Sequence, residues 1–178
     1  MKKLKVIVLC LMLLIVSVGV IFFSKYKTNY LHLINNECEN YKLNQNLILA
    51  VIKTESGFDE KSLSKAGAMG LMQILPSTAM WIAQQLNDGE FKTEDLFVPS
   101  KNIKFGCYYL RYLLDYYNQN EQLAICAYNA GMGVVNNWIS DENYFVDGKL
   151  KNIPYKETRN YLKKINFNKK IYALFIIK

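Results

Sequence analysis

Glu55 is the residue whose type and position most directly suggest chemistry. It ends an apolar stretch carrying Leu47, Leu49, Ala50, Val51 and Ile52, and Ser56 and Gly57 follow at once. The spacing predicts a helix capped by Asn44 and stopped at Gly57, which puts Glu55 in its last turn. Carbonyls at that end carry the negative pole of the helix dipole and disfavour an ionised carboxylate. Apolar surroundings disfavour it again through desolvation. Both effects raise the pKa, as required of a carboxyl group that keeps a proton near neutral pH and donates it to a leaving oxygen. An exposed glutamate at a helix end has the same local signature, so position alone leaves a structural role open.

Other chemistries fit the sequence less well. His32 is the only histidine, and it stands in a polar segment far from any activated nucleophile, which argues against Ser-His-Asp or Cys-His catalysis. Cys10 lies in an apolar run; Cys38, Cys107 and Cys126 are odd in number and lack CxxC spacing. That pattern supports neither a disulfide framework nor a zinc site. Cys107 and Cys126 sit in apolar helical patterns, where cysteine behaves as a small core residue. No cofactor or metal is implied.

The elements that must position Glu55 read as helices with short punctuation, and no run alternates at period two. "FDEKSLSKAGAMG" is rich in glycine and small residues and reads as loop or turns. "PSTAMWIAQQLN" starts a helix at Pro76, with Asn87-Asp88-Gly89 past its end. After Pro99, "SKNIKFGCYYLRYLLDYY" places Ile103, Gly106, Cys107, Leu110, Leu113, Leu114 and Tyr117 three or four apart. Gly106 inside that helix implies close packing against a neighbour. "EQLAICAYNAG" is a helix ended by Gly131 and Gly133, "VVNNWI" is short, and another helix begins after Pro154. The expected fold is mainly α.

Four blocks occur in order: "ESGFDEKSLSKAGAMGLMQILPSTA", "NIKFGCYYLRYLLDYY", "AICAYNAGMGVVNNW" and "IPYKETRNYLKKI". Together they cover roughly residues 45–165, and in these blocks the chain resembles the soluble lytic transglycosylases, whose fold is lysozyme-like. The resemblance implies cleavage of the β-1,4 bond between N-acetylmuramic acid and N-acetylglucosamine in peptidoglycan, with a 1,6-anhydromuramoyl product. Ordinary glycosidases need two carboxylates; here the sugar's own C6 hydroxyl closes onto C1, so one carboxyl suffices. Glu55 matches that general acid and base.

The remaining site residues come from the same match. Gln73, in "GLMQ", matches a substrate-contacting glutamine, with capping of the turn before Pro76 as the alternative. Tyr128, in "AYNAG", matches a tyrosine near the reacting sugar, holding its N-acetyl group or Glu55; the alternative is an aromatic core residue. Glu157, in "ETR", either faces the cleft or pairs with Arg159. Ser64 matches a serine ahead of the GLMQ block. Asn129 is expected to fix the helix end beside Gly131 or to contact glycan. Gly67 and Gly70 read as turns or close approaches. Tyr161 also matches its block, whereas Tyr108, Tyr112 and Tyr116 recur at helical spacing as partly buried scaffold. Asp59-Glu60 stands where the family commonly has Asn-Pro, Met132 where proline is frequent and Cys126 where alanine is usual.

Residues 6–23 form an uncharged apolar run, with Lys2, Lys3 and Lys5 before it and Lys25 and Lys27 after. Its length is near the lower edge of a bilayer span. It reads as a retained anchor, or as a secretion signal with Ser17-Val18-Gly19 as its small-x-small site. The expected organisation is therefore 1–27 anchor or signal, 28–40 linker and 41–178 catalytic domain. Lysines on both sides leave orientation undecided by charge; an extracytoplasmic domain follows from the implied substrate. The net charge of +7 is uneven. Residues 28–148 are acidic overall, while residues 149–178 hold nine basic groups and one acid, Glu157. That basic segment could meet anionic wall polymers or lipid headgroups, or form a solvated helix face. Nothing resembles a nucleic-acid module. Two other functions remain: a goose-type lysozyme-like hydrolase, and a wall-binding or assembly module without turnover.

Overall fold

The computed structural model describes Met12 and residues 30–175. The run 6–23 otherwise lies outside them, and among the described residues no helix is long and apolar enough to cross a membrane. The described chain is mainly helical, as expected: α1 (Leu31–Tyr41), α2 (Gln45–Glu55), α3 (Pro76–Gln85), a 3-10 turn (Thr93–Phe97), α4 (Pro99–Tyr116), α5 (Glu121–Ala130), α6 (Met132–Ile139), a two-stranded hairpin of β1 (Phe145–Val146) and β2 (Lys149–Leu150), and α7 (Lys156–Phe175).

The helix starts follow the sequence signals. The Asn44 side chain accepts from the Asn46 and Leu47 amides, and Pro76 and Pro99 stand in the first turns of α3 and α4. Leu47 through Ile52 are all buried, so α2 is enclosed on every side rather than amphipathic. Its most extensive neighbour is α7; α4 packs on α1 and α5, and α5 also on α6 and α7. Gly106 of α4 meets Met72 closely, since a Cβ there would lie 2.2 Å from the Met72 sulfur. The close packing read from that glycine is present.

Three expectations need correction. The linker expected over 28–40 is helical from Leu31 onward. Ile34 and Cys38 of α1 are buried at a four-residue spacing, so a helix that looks polar on average still seats an apolar stripe on the core. Gly133 does not end a helix: Gly131 (φ 87°) separates α5 from α6, and Gly133 lies in the first turn of α6. Finally, the hairpin was not anticipated. Asp147 (φ 51°) and Gly148 (φ 73°) form its two-residue turn, where both central residues take left-handed backbone.

Candidate active site

Glu55 closes α2, and the chain reverses immediately beyond it. Gly57 (φ 62°) and Phe58 (φ 71°) are consecutive left-handed residues, a conformation costly for phenylalanine. Phe58 holds it by burying its ring 6.5 Å from that of Tyr172 in α7. The Ser56 hydroxyl donates to the Leu71 carbonyl at 2.8 Å, tying the end of α2 to the loop before α3. Asn168 of α7 donates to the Thr54 hydroxyl at 3.0 Å. The catalytic candidate is thus fixed by its backbone neighbours on both sides.

The Glu55 side chain is half-buried, and its Oε1 accepts from the Tyr161 hydroxyl at 2.6 Å. Burial raises its pKa to about 7; the Tyr161 bond pulls it down and the Glu157 charge pushes it up. The sequence expectation of a raised value holds, with desolvation as its largest cause. About half the molecules would therefore carry the proton near neutral pH.

Beyond the turn that follows Glu55, residues 62–74 fold back on themselves through two isolated antiparallel bridges, Met69 pairing with both Leu63 and Ile74. Ser64 serves this turn: its Oγ accepts from the Ala68 amide at 2.9 Å. Gln73, in left-handed backbone (φ 49°), donates through Nε2 to the carbonyls of Gly70 at 2.9 Å and Ser62 at 3.1 Å. Its amide thus braces the loop, close to the capping alternative. Gly70 (φ 74°) allows a close approach, because a Cβ would lie 2.1 Å from the Leu96 carbonyl oxygen.

Met72 is gripped at both backbone groups. Its N–H donates to Asn102 Oδ1 at 2.7 Å, and its carbonyl accepts from the Tyr128 hydroxyl at 2.9 Å. Asn102 is fully buried and also donates to the carbonyls of Met69 and Leu96. Tyr128 therefore positions the loop, while its hydroxyl lies close enough to feel the Glu55 charge. It also lines a cavity of about 240 Å³ with Gln73, Thr78, Tyr109 and Asn129. Thr78 and Tyr109 are shared with a second hollow of about 310 Å³ walled by Trp81 and Tyr112. The two hollows are neighbours along α3 and α4, with Thr78 and Tyr109 between them. Tyr108 is half-buried as scaffold, but Tyr112 and Tyr116 are exposed, and the first belongs to the wall of the second hollow.

The remaining candidates lie where α5 meets α7. Asn129 Oδ1 accepts from the buried Thr158 hydroxyl at 2.8 Å, so its side chain locks the end of α5 to the first turn of α7. Thr158 follows Glu157, which is exposed and lies one helical turn before Tyr161. Arg159 donates to the carbonyls of Ile153 and Pro154, and no ion pair joins it to Glu157 among the described residues. Cys38, Cys107 and Cys126 are buried, and desolvation pushes the thiols of Cys38 to about 11 and Cys126 to about 12, far from nucleophile range.

Two positions had escaped the sequence reading. The sequence match places Tyr161 in its block without a role, and nothing in it singles out Asn102. The signal for Asn102 was available: it is an amide on the apolar face of α4, one residue before Ile103 and four before Gly106.

Residues 32–150 match the family model described as "Transglycosylase SLT domain". The chain is 30% identical over 156 residues to the soluble lytic murein transglycosylase of Escherichia coli strain K12, covering 86% of this chain and 24% of that protein. It is 32% identical over 168 residues to the membrane-bound lytic murein transglycosylase C of Histophilus somni, covering 82% and 46% respectively. Among solved structures, lytic transglycosylase Slt from Pseudomonas aeruginosa superposes with a TM-score of 0.77 at 32% identity, over 84% of this chain and 24% of that one. The 70 kDa soluble lytic transglycosylase of E. coli gives 0.78 at 29% identity, again over 84% of this chain and 25% of the other. The chain thus spans about a quarter of its soluble relatives and under half of the membrane-bound one. The mainly helical, lysozyme-like architecture is shared with these structures across nearly all the described residues. On the strength of the matched 32–150 segment, the chain belongs to the transglycosylase SLT domain family.

Proposed function

We propose that the domain is a peptidoglycan lytic transglycosylase. It cuts the β-1,4 bond between N-acetylmuramic acid and N-acetylglucosamine and leaves a 1,6-anhydromuramoyl end. The supporting observation is Glu55 itself: half-buried, bonded to Tyr161, and with a pKa of about 7. In its protonated form Glu55 donates to the bridging oxygen as the C1–O bond breaks. The resulting carboxylate then takes the proton of the muramoyl C6 hydroxyl as that oxygen bonds to C1, so the acid is regenerated and no water is consumed. Gln73, Tyr128 and Asn129 line the cavity where the sugar is bound. Ser64 shapes the 62–74 loop, and the Glu157 charge adds a smaller upward push on the Glu55 pKa after burial and the Tyr161 bond. Residues 6–23 hold the domain at the membrane on its extracytoplasmic side.

The hydrolytic reading differs only in what attacks C1. A water would need activation opposite Glu55, and Glu157 is the carboxylate whose charge reaches it. Mass spectrometry of digested sacculi separates the two. Glycan products lighter by one water are expected, and reducing ends alone would exclude the anhydro route. Turnover by Glu55→Gln at the parent rate would instead favour a site built on another residue. Loss of turnover in that variant, with unchanged affinity for sacculi, is the expected result and excludes a purely wall-binding module.

A further inference from the structure

The solvent-facing side of α7 is unusual for a helix that already packs on α2 and α5. Lys163, Phe167, Lys170 and Leu174 follow at steps of four, three and four, so they form one stripe. It points away from Tyr161, Ile165 and Tyr172, which are buried on the opposite face. Phe167 is 57% exposed and Leu174 is 70% exposed. Lys156, Arg159 and Lys164 are also exposed along this side, and Glu157 is the helix's only acid. Large apolar side chains set among lysines on an outward face are the composition of a helix lying in a membrane interface.

The fold also places the C-terminal turns of α7, through their buried face, near the first described residues of the domain. The Tyr30 hydroxyl donates to Glu60 at 2.6 Å, and Phe58, two residues earlier, packs on Tyr172. The first described residue of the domain and the far end of α7 therefore meet at one turn. Residues 24–29 separate Tyr30 from the apolar run. Six residues reach at most about 20 Å when extended. If residues 6–23 are the membrane attachment of the proposed function, a tether of that reach would keep the last turns of α7 near the bilayer.

We propose that the outward face of α7 lies on an anionic bilayer, with Phe167 and Leu174 seated among the headgroups and Lys163, Lys164 and Lys170 against lipid phosphates. The inference takes from the proposed function only the membrane attachment through residues 6–23. Tyr161 lies on the opposite face of the same helix, thirteen residues before Leu174, or about 20 Å along the axis. Docking α7 would therefore hold the Glu55 site at a set height and orientation, directing it to glycan next to the membrane.

The test uses the full chain reconstituted in vesicles of purely zwitterionic lipid or of zwitterionic lipid mixed with phosphatidylglycerol. Lysines are acylated with a membrane-impermeant reagent and quantified by peptide mass spectrometry, with exposed Lys92 as internal reference. With phosphatidylglycerol, labelling of Lys163, Lys164 and Lys170 should fall about fivefold relative to Lys92, the occupancy shift that one lysine–lipid contact supplies. High salt should reverse that fall. The paired Phe167→Ser and Leu174→Ser substitutions, both at exposed positions, should abolish it and leave glycan cleavage in detergent unchanged. Equal labelling in the two lipids would overturn the proposal. So would equal protection of detergent-solubilised chain by a soluble poly(glycerol phosphate), which would make the face a wall-polymer site. Carbonate extraction reports separately on the 6–23 anchor, and product analysis on the enzyme reading.

Discussion

Replacing Tyr161 with phenylalanine removes one hydroxyl, and its effect on Glu55 has a definite sign. The hydroxyl donates to Oε1 at 2.6 Å and favours the ionised carboxylate, so it holds the pKa below what burial alone would set. A hydrogen bond to a charged group contributes about 1.5–3 kcal/mol. At 1.36 kcal/mol per pKa unit that is about one to two units. Because Glu55 is only half-buried and water partly replaces the lost donor, the lower end applies. Ionisation of Glu55 in the variant should then move upward from about 7 by about one pH unit. The assay is kcat/KM for release of anhydro ends from sacculi across pH, whose alkaline limb reports loss of the general acid in the free enzyme. That limb should shift upward by about one unit in the variant. A tyrosine that merely packs would lower the rate equally at every pH and leave the midpoint in place. An unmoved or lowered midpoint would refute the assignment of Tyr161 as the positioning residue for Glu55.

Glu157→Gln should act in the opposite direction, since its charge raises the Glu55 pKa; the same alkaline limb should move to lower pH. Glu55→Gln should gain stability as activity is lost. Glu55 ionises at about 7 in the folded protein against an ordinary 4.5. Its folded-state value is raised, so the native protein is favoured below the unfolded value and loses that advantage as pH rises towards 7. The variant should therefore gain about 3 kcal/mol on the parent between pH 4 and pH 8, read from denaturant midpoints. A stability difference that ignores pH would contradict the buried carboxyl. Gly106→Ala should cost about 1–3 kcal/mol by forcing Met72 to move, together with reduced turnover because Met72 follows Leu71, whose carbonyl is bonded to Ser56 beside Glu55. A neutral effect on both would mean the α4 contact is not what seats the 62–74 loop.

Most of the architecture was legible because its signals are local. Asn44, Pro76, Pro99 and Gly131 mark helix ends by backbone chemistry that needs no tertiary partner. The α1 helix was missed because its average polarity hides a narrow stripe, visible only once α4 supplies the surface that Ile34 and Cys38 cover. The hairpin was missed although Asp147-Gly148 carries a turn signal, because two-residue strands are too short to show alternation. The end of α2 at Glu55 and the raised pKa of its carboxyl were legible from the apolar run and the Ser56-Gly57 stop, while its role in catalysis is the proposal drawn from the blocks around it. The roles of its neighbours were less so, because hydrogen-bond partners far apart in sequence leave no periodic trace. Tyr161 reaches Glu55 from 106 positions away, and Asn102 braces Met72 from 30. Gln73 and Tyr128 illustrate the same limit. Both stand at the cavity, yet the bonds they make within the fold are to loop carbonyls, so each combines a scaffold role with the proposed contact to sugar.

The account rests on one carboxyl group that retains its proton near neutrality. Carbon-13 NMR of the Glu55 side-chain carboxyl, assigned by its disappearance in Glu55→Gln, measures that directly. A titration midpoint near 7 is the predicted result. A midpoint at or below that of an unperturbed glutamate, about 4.3, would contradict it.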